Sequence, residues 1–321
     1  NDRATFESFT RAALAIADDL TKQGVKKGDR VAIIMRNLPE WPAIFFGAEI
    51  IGAIVTPLNA WWTGPELEYG LVDSGSKVVF TDAERLERIS EHLINCPDLK
   101  RVYVSRYADD LPSPIVHRLE DVTGAVNDWG KLPDRPMPTV DIQPDDDATI
   151  LYTSGTTGRP KGALGTHRNM LSNIMASASS AARNFLRRGE MPPMPDPDAP
   201  QRITLLSVPF FHATGCFAVM GPTVFAGGKL VLMRKWDPEI AMQLIEREKV
   251  NGAGGVPTIA WQLIEHPARA KYDLSSLETM SYGGAPSAPE LVRKIVEVFP
   301  KSLPGNGWGM TETSATCTTH S

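Results

Sequence analysis

Residues 151–162, which read LYTSGTTGRPKG, combine the side chains that can hold a polyphosphate. Hydroxyl groups, glycines and one lysine are crowded directly behind the apolar run 148–152: Thr153, Ser154, Thr156, Thr157, Gly155, Gly158, Gly162 and Lys161. Glycine lets successive backbone N–H groups turn into one concavity, and hydroxyls and a lysine add donors and positive charge there. The segment therefore predicts a phosphate-binding loop.

The spacing differs from that of a Walker A loop, in which Gly-Lys is followed at once by Ser or Thr. Here Lys161 follows Pro160 and precedes Gly162, so phosphates would be held in another way. An ordinary surface loop rich in Ser, Thr and Gly has the same composition and stays open as an alternative on this segment alone.

The loop closely resembles the phosphate-binding signature of the adenylate-forming superfamily: acyl- and aryl-CoA synthetases, peptide-synthetase adenylation domains and firefly-type luciferases. Further segments resemble other motifs of that superfamily in the family's order: 48–59 (AEIIGAIVTPLN), 208–215 (VPFFHATG), 282–286 (YGGAP) and 306–313 (NGWGMTET). The resemblance covers nearly the whole chain. It implies that ATP activates a carboxylic acid to an acyl-AMP with release of pyrophosphate, after which CoA takes the acyl group as a thioester.

The resemblance also implies residue roles around ATP. The loop would bind the β- and γ-phosphates through Thr153, Ser154, Gly155, Thr156, Thr157, Gly158 and Lys161. Glu312 is the expected Mg²⁺ ligand, with Thr153 close to the metal, because Mg²⁺ takes one or two carboxylates together with phosphate oxygens and water. Thr311 would donate to the α-phosphate. An exposed polar pair that caps a helix start is the other interpretation of Thr311 and Glu312.

Adenine is expected at Gly283, Gly284 and Ala285, where small residues let a flat base approach the backbone. Taken alone, Gly-Gly-Ala-Pro is an ordinary turn. Trp308 stands where the family usually has tyrosine; it keeps a ring for stacking but lacks the hydroxyl. By resemblance, Asn306 and Gly307 border both the adenine and the acyl pocket.

His212 follows an apolar run and on that basis is either a packed core histidine or a functional one. The resemblance places it between ATP and the acid, as an orienting or gating residue. General-base chemistry is not expected, because a carboxylic acid is already ionised at neutral pH. His167 has the simpler interpretation of a helix cap, and a solvated surface charge is the alternative for Lys161.

The substrate is expected to be an apolar acid. Peptide-synthetase domains place an aspartate for the substrate amino group near the acyl-site motif, whereas this chain has no carboxylate there. The expected pocket walls are residues 212–217, 256–261 and 308–314, largely apolar or small. A fatty acid is the first candidate, and an aryl or alicyclic acid is the second.

Short apolar strands alternate with amphipathic helices along most of the chain, which predicts an α/β fold. With the resemblance, we expect two helix-flanked, mainly parallel sheets packed together, the αβαβα core of the adenylate-forming N-terminal domain. The subdomains are expected to interleave, with residues of about 30–185 in one and about 1–29 plus 200–321 in the other. Residues 187–201 are rich in proline and predict an irregular segment.

The composition excludes some classes of binding partner. A net charge of −5, with 22% charged residues, gives no basic surface for nucleic acid. The longest apolar stretch is broken by Glu49 and glycines, so no membrane span is expected. Three cysteines without paired spacing favour a reducing cytoplasm over a disulfide framework or a zinc site. Small molecules, namely the acid, ATP and CoA, are the expected partners, and a homodimer is left open.

By the resemblance, the ribose-binding aspartate, the hinge and the C-terminal lid domain with its lysine would follow residue 321. We therefore expect a truncated N-terminal domain of an acid–thiol ligase of fatty-acid–CoA ligase type, poorly active by itself. A non-catalytic nucleotide- or acyl-binding domain is the alternative from another class, and an aryl-CoA ligase or a luciferase-like monooxygenase would share the first half-reaction.

Overall fold

The computed structural model describes residues 2–155, 158–192, 194, 196 and 198–320. Two compact units divide the chain, Asn1–Arg168 and Asn169–Ser321. Residues 2–29 thus fall in the first unit, whereas they were predicted to belong with residues 200–321. Their place follows from packing, because the apolar stripe of the first helix lies against the second helix, with the rings of Phe9 and Phe46 5.9 Å apart.

A seven-stranded sheet forms the centre of the first unit. Its helices are α1 (Phe6–Lys22), α2 (Glu40–Glu49), α3 (Gly64–Ser74), α4 (Ala83–Ile89) and α5 (Glu120–Thr123). Its strands are β1 (Arg30–Ile34), β2 (Ile54–Pro57), β3 (Ser76–Asp82), β4 (Arg101–Ser105), β5 (Val116–Arg118), β6 (Asp147–Thr153) and β7 (Lys161–Thr166). The order is β5-β4-β3-β1-β2-β6-β7, and only the β6–β7 pair is antiparallel among the paired strands described.

The strands of this sheet form because their side chains are apolar on both faces, as burial between two helix layers requires. Val31 and Ile34 in β1, for example, are completely buried. Helix α3 begins with a capping box, in which Glu66 accepts from the Thr63 backbone N–H at 2.8 Å, and it ends at Gly75 in the left-handed region.

Helix α6 (His167–Arg187) runs across the boundary, and the second unit is built on a six-stranded sheet. Its strands are β8 (Ile203–Leu206), β9 (Lys229–Leu232), β10 (Gly252–Gly255), β11 (Thr279–Gly283), β12 (Leu303–Met310) and β13 (Ala315–His320). Its other helices are α7 (Gly221–Phe225), α8 (Pro238–Glu248), α9 (Pro257–Glu265) and α10 (Pro289–Val298). The order is β13-β12-β11-β10-β8-β9, with β13 antiparallel to β12 and the rest parallel.

Two mainly parallel, helix-flanked sheets confirm the predicted fold class. A π-helical turn, Thr214–Met220, precedes α7 in this unit. Strands β5, β7, β12 and β13 were not predicted. Residues 188–192, 194, 196 and 198–201 contain no helix or strand, as expected. In the described part of the chain, no helix is both long and apolar enough for a membrane span.

Candidate functional site

The predicted phosphate loop connects two antiparallel strands at the edge of the first sheet. Thr153 at the end of β6 lies opposite Lys161 at the start of β7, so the segment between them is the tip of a hairpin. Ser154, Gly155 and Gly158 are exposed there, and both glycines have positive φ, 60° and 91°. Thr156 and Thr157 lie outside the described residues.

Lys161 leaves the hairpin with an exposed side chain, and no ion pair joins it to another described residue. The Thr153 hydroxyl makes a single long bond of 3.5 Å to the Lys161 carbonyl oxygen, which leaves its lone pairs available. Left-handed glycines, hydroxyls and an unpaired ammonium at one tip provide donors and positive charge for an anion. This arrangement fits phosphate binding.

Helix α3 supports the hairpin from one side. The Tyr69 phenol donates to the Pro160 carbonyl oxygen at 2.9 Å, and the Arg159 guanidinium lies over the Tyr69 ring at 5.6 Å. The Tyr152 phenol donates to the Asp73 carboxylate at 2.6 Å. Burial and that carboxylate raise the pKa of Tyr152, so its phenol remains a donor. Tyr69 and Asp73 carry no local signal of this role, because they lie 91 and 79 positions before their partners Pro160 and Tyr152.

A cavity of about 590 Å³ opens in the second unit, a volume within the range of small-molecule sites. Seven of the predicted site residues line it: His212, Gly283, Gly284, Asn306, Gly307, Trp308 and Thr311. Ala285 and Glu312 are exposed but do not line it. His212 and most of the predicted adenine residues of this unit are therefore brought to one place.

The predicted adenine loop, residues 283–285, begins where β11 ends. Asn306 and Gly307 of β12 pair with Tyr282 and Gly283, so the two predicted segments are adjacent strands. A Cβ on Gly283 would lie 2.3 Å from the Gly307 carbonyl oxygen, which is closer than any side chain tolerates. This glycine is required by strand crowding, and the resulting surface is open to a flat ligand.

His212 lies between β8 and the π-helical turn. It is exposed and lines the cavity. The surrounding protein atoms displace part of its hydration and thereby lower the pKa of the imidazole, so the ring is neutral at pH 7. The backbone is fixed nearby, because a Cβ on Gly215 would meet the Pro209 carbonyl oxygen at 2.1 Å. π-helical turns occur frequently at functional sites.

Thr311 and Glu312 form a single 3₁₀ turn, Thr311–Thr313, in the β12–β13 hairpin. They lie at the start of a short 3₁₀ helix and not of an α-helix, so both interpretations of this pair stay open. The turn ends at Ser314 and Ala315, which both have positive φ, at 52° and 87°. A positive φ is energetically unfavourable for residues other than glycine, so this turn conformation persists because the surrounding structure fixes it. The exposed Glu312 carboxylate forms no ion pair with the described residues.

The expected wall at residues 256–261 does not line the cavity. Ile259 and Ala260 are buried, and Trp261 packs on the core of the second unit. The cavity wall is formed instead by strand β10, Gly252–Gly255, and by Ser177 and Ser180 of α6. The run GAGG could have indicated this, since a strand without side chains leaves room above it.

His167 is not a simple helix cap. Its Nδ1 lies 3.1 Å from Oε2 of Glu49, which is buried at the end of α2. Burial raises the pKa of Glu49, and the bond to Glu49 raises the pKa of His167. This pair belongs to the first unit and does not line the cavity.

A family model for AMP-binding enzymes matches residues 1–321. The chain therefore belongs to the AMP-binding enzyme family. A relative in Solanum tuberosum, 4-coumarate–CoA ligase 1, is 30% identical over 313 residues, which are 97% of this chain and 53% of that protein. This AMP-binding enzyme thus spans about half the length of the curated relatives it matches.

Two solved structures share the fold of this AMP-binding enzyme. Mycobacterium tuberculosis fatty acyl CoA synthetase is 27% identical, with a TM-score of 0.75, and the match covers 99% of this chain and 56% of that one. ATP-bound MatB from Rhodopseudomonas palustris is 26% identical, with a TM-score of 0.74 over 98% of this chain and 55% of that one.

A metal ion at this site would need oxygen ligands from a bound small molecule in addition to those from the chain. No group of three or more His, Cys, Asp or Glu side chains is placed to hold a metal in the part of the chain that the structure describes. Glu312 is a single open carboxylate, and Mg²⁺ accepts one carboxylate together with phosphate oxygens and water. The residues therefore fit a cation that arrives with a polyphosphate.

Proposed function

We propose that this chain carries the nucleotide and acid sites of an acid–thiol ligase. A carboxylate oxygen of the acid bonds to the α-phosphorus of ATP, the bond to the bridging oxygen breaks, and pyrophosphate leaves. The CoA sulfur then displaces AMP from the acyl-AMP. The observation that carries the proposal is a cavity bordered by the adenine loop, His212 and Trp308, with no charged side chain among its described lining residues.

The nucleotide would be held by groups that the structure leaves open. Thr153, Ser154, Gly155, Gly158 and Lys161 would take the β- and γ-phosphates, together with Thr156 and Thr157. Gly283, Gly284, Ala285, Asn306 and Gly307 would surround adenine, and Trp308 would stack on it. Thr311 would donate to the α-phosphate. Positioning and charge stabilisation of this kind supply most of the catalysis in phosphoryl transfer.

Magnesium would bind at Glu312, together with phosphate oxygens and water. When bound, it would neutralise phosphate charge as the pyrophosphate leaves. The Glu312 side chain carries no competing ion pair among the described residues, which supports this assignment.

His212 would orient the acid. Its lowered pKa keeps the ring neutral, so it donates or accepts a hydrogen bond without adding charge beside the substrate carboxylate. A lining without Asp, Glu, Lys or Arg favours an acid whose tail is uncharged. A fatty acid remains the first prediction from sequence. The hydroxyl groups of the lining are a specific observation in favour of the second candidate, an aryl acid.

Binding and turnover test the proposal at separate levels. Calorimetry of the chain with AMP, and with sulfamoyl-adenosine esters of fatty, aryl and amino acids, measures both subsites without catalysis. We expect AMP and the fatty or aryl analogues to bind and the charged amino acid analogue to bind more weakly. Absence of adenine nucleotide binding would refute the proposal.

Acid-dependent ATP–pyrophosphate exchange then separates an enzyme from a binding domain. We expect exchange to require a fatty or aryl acid and to be lost in Glu312→Ala, with Glu265→Ala as a control for an exposed carboxylate elsewhere. Nucleotide binding without exchange, in this chain and in any longer chain that contains it, would favour the non-catalytic alternative. Cytoplasmic location and a homodimer remain predictions.

A further inference from the structure

The cavity of the second unit extends from the ends of its strands back to their beginnings. Gly283 and Gly284, at the end of β11, lie at one extreme, and Thr279, the first residue of β11, also lines the cavity. Gly283 lies four positions after Thr279, which corresponds to about 13 Å along a strand. The part near Thr279 is thus well removed from the adenine loop.

Two threonine hydroxyls face each other across this far part. Gly252 pairs with Thr204 of β8 on one side and with Thr279 on the other. A Cβ built on Gly252 would lie 3.3 Å from Thr279 Oγ1 and 3.6 Å from Thr204 Oγ1. Both hydroxyls therefore flank the open space above Gly252. No hydrogen bond joins either hydroxyl to another described residue.

The paired residues two positions further along these strands also have small side chains or none. Ser281 pairs with Gly254 and with Gly305, and its hydroxyl lies 3.1 Å from the position of a Cβ on Gly305. These residues also line the cavity. Glycine on both sides of a serine gives a flat floor, on which a planar ring lies closely against the backbone.

The chemistry of this floor selects among uncharged acids. Unused threonine hydroxyls each offer one donor and two acceptor lone pairs, and a saturated chain end would leave them without partners. A phenolic hydroxyl can both donate to one and accept from the other. A second carboxylate or an ammonium group would find no opposite charge among the described lining residues.

We propose that Thr204 and Thr279 form a subsite for the distal hydroxyl of a hydroxylated aryl acid, with the ring on the floor of Gly252, Ser281 and Gly305. This proposal rests on the proposed function, since the acid must reach the site from the nucleotide end of the same cavity. Thr204 and Thr279 would then determine which acid binds and would not contact the atoms that react.

The test compares three acyl groups carried on the same adenosine. Sulfamoyl-adenosine esters of 4-hydroxycinnamic acid, cinnamic acid and decanoic acid are titrated into the chain by calorimetry. We expect the hydroxylated ester to bind about fivefold to tenfold more tightly than the cinnamic ester, as one or two net hydrogen bonds provide. AMP alone is the measure of the nucleotide site.

Thr204→Val and Thr279→Val remove the hydroxyls and keep a β-branched side chain that suits a strand. Each is expected to reduce the preference for the hydroxylated ester by several-fold and to leave the affinity for the cinnamic ester within about twofold. Thr223→Val is the matched control, because Thr223 lines the same cavity but its hydroxyl already donates to the Val219 carbonyl oxygen at 2.7 Å. It should leave the preference unchanged.

Separate results refute the two proposals. Tight binding of all three esters without a hydroxyl preference, or a preference that survives both threonine variants, overturns the subsite and leaves the proposed function standing. Failure of AMP and of all three esters to bind overturns the proposed function as well. Circular dichroism and urea unfolding of each variant identify any loss that comes from misfolding, and a variant that fails to fold is replaced by Thr→Ala at the same position.

Discussion

The Tyr69 phenol donates to the Pro160 carbonyl oxygen at 2.9 Å, so a residue of α3 fixes the last peptide before Lys161. The same ring lies under the Arg159 guanidinium. Hairpin tips are otherwise the most mobile part of a sheet edge. One aromatic side chain thus holds both the backbone and a cation of the predicted phosphate loop in place.

Tyr69→Phe is expected to weaken ATP binding about fivefold, because it removes one hydrogen bond but keeps the ring. AMP, which lacks the β- and γ-phosphates, should bind as before. Calorimetry with both nucleotides measures the difference. Tyr272→Phe is the control, since that phenol donates to Glu239 in the second unit at 2.8 Å. An equal loss for ATP and AMP would contradict a role at the phosphate loop.

Gly283→Ala is expected to destabilise the protein by about 1 to 3 kcal/mol, the usual cost of overpacking. Its Cβ would collide with the carbonyl oxygen of Gly307, its partner in β12, at 2.3 Å. Urea unfolding measures the loss. Gly307→Ala is the matched control in the paired position, since its Cβ would find its nearest neighbour at 3.9 Å. Equal stability of the two variants would show that the strands separate easily.

The fold was predictable where one local pattern decided it. Buried strands such as β1 follow from unbroken apolar runs, and α8 from Asp237, whose side chain accepts from Ile240 N at its start. The β12–β13 hairpin was not predictable, because its strands are rich in glycine, threonine and exposed side chains that carry no alternating pattern.

The site was predictable in its motifs but not in its supports. Glycine and hydroxyl spacing predicted the hairpin loop, whereas the adenine loop was predicted only through the resemblance to the adenylate-forming superfamily. The contribution of Tyr69, and the cavity floor at Gly252, depend on which strands become neighbours, and strand order is set by packing of the whole unit. A polar strand start such as Thr279 carries no local signal of function.

The Glu49–His167 pair is expected to make stability fall as pH rises through neutrality. Both groups hold a proton more tightly in the folded chain than in the unfolded one, since the pKa of each is raised. Their contribution is full below the usual pKa of each group, which is 6.5 for His167. It is lost as pH passes the raised folded value. Asp146 and Lys27 also face His167, with opposite effects on its pKa.

Urea unfolding at about pH 6 and about pH 8 measures this dependence. In Glu49→Gln the difference between the two pH values should shrink, because the partner that raises the pKa of His167 is gone. Glu68→Gln is the control, since Glu68 pairs with His92 at 2.6 Å at the surface. A slope unchanged in Glu49→Gln would show that another group dominates this pH range.

Trp308 is expected to report and stabilise the bound base. The side chain is 59% exposed and lines the cavity beside the adenine loop, so a base could cover its ring. Trp308→Ala should weaken AMP binding about tenfold, the usual cost of removing one stacked ring, whereas Trp308→Phe should retain most of it. Quenching of tryptophan fluorescence by AMP should occur in the wild type and vanish in Trp308→Phe. Trp61→Phe, a change to an exposed tryptophan of the first unit, is the matched control. Quenching that persists in Trp308→Phe would place the base elsewhere.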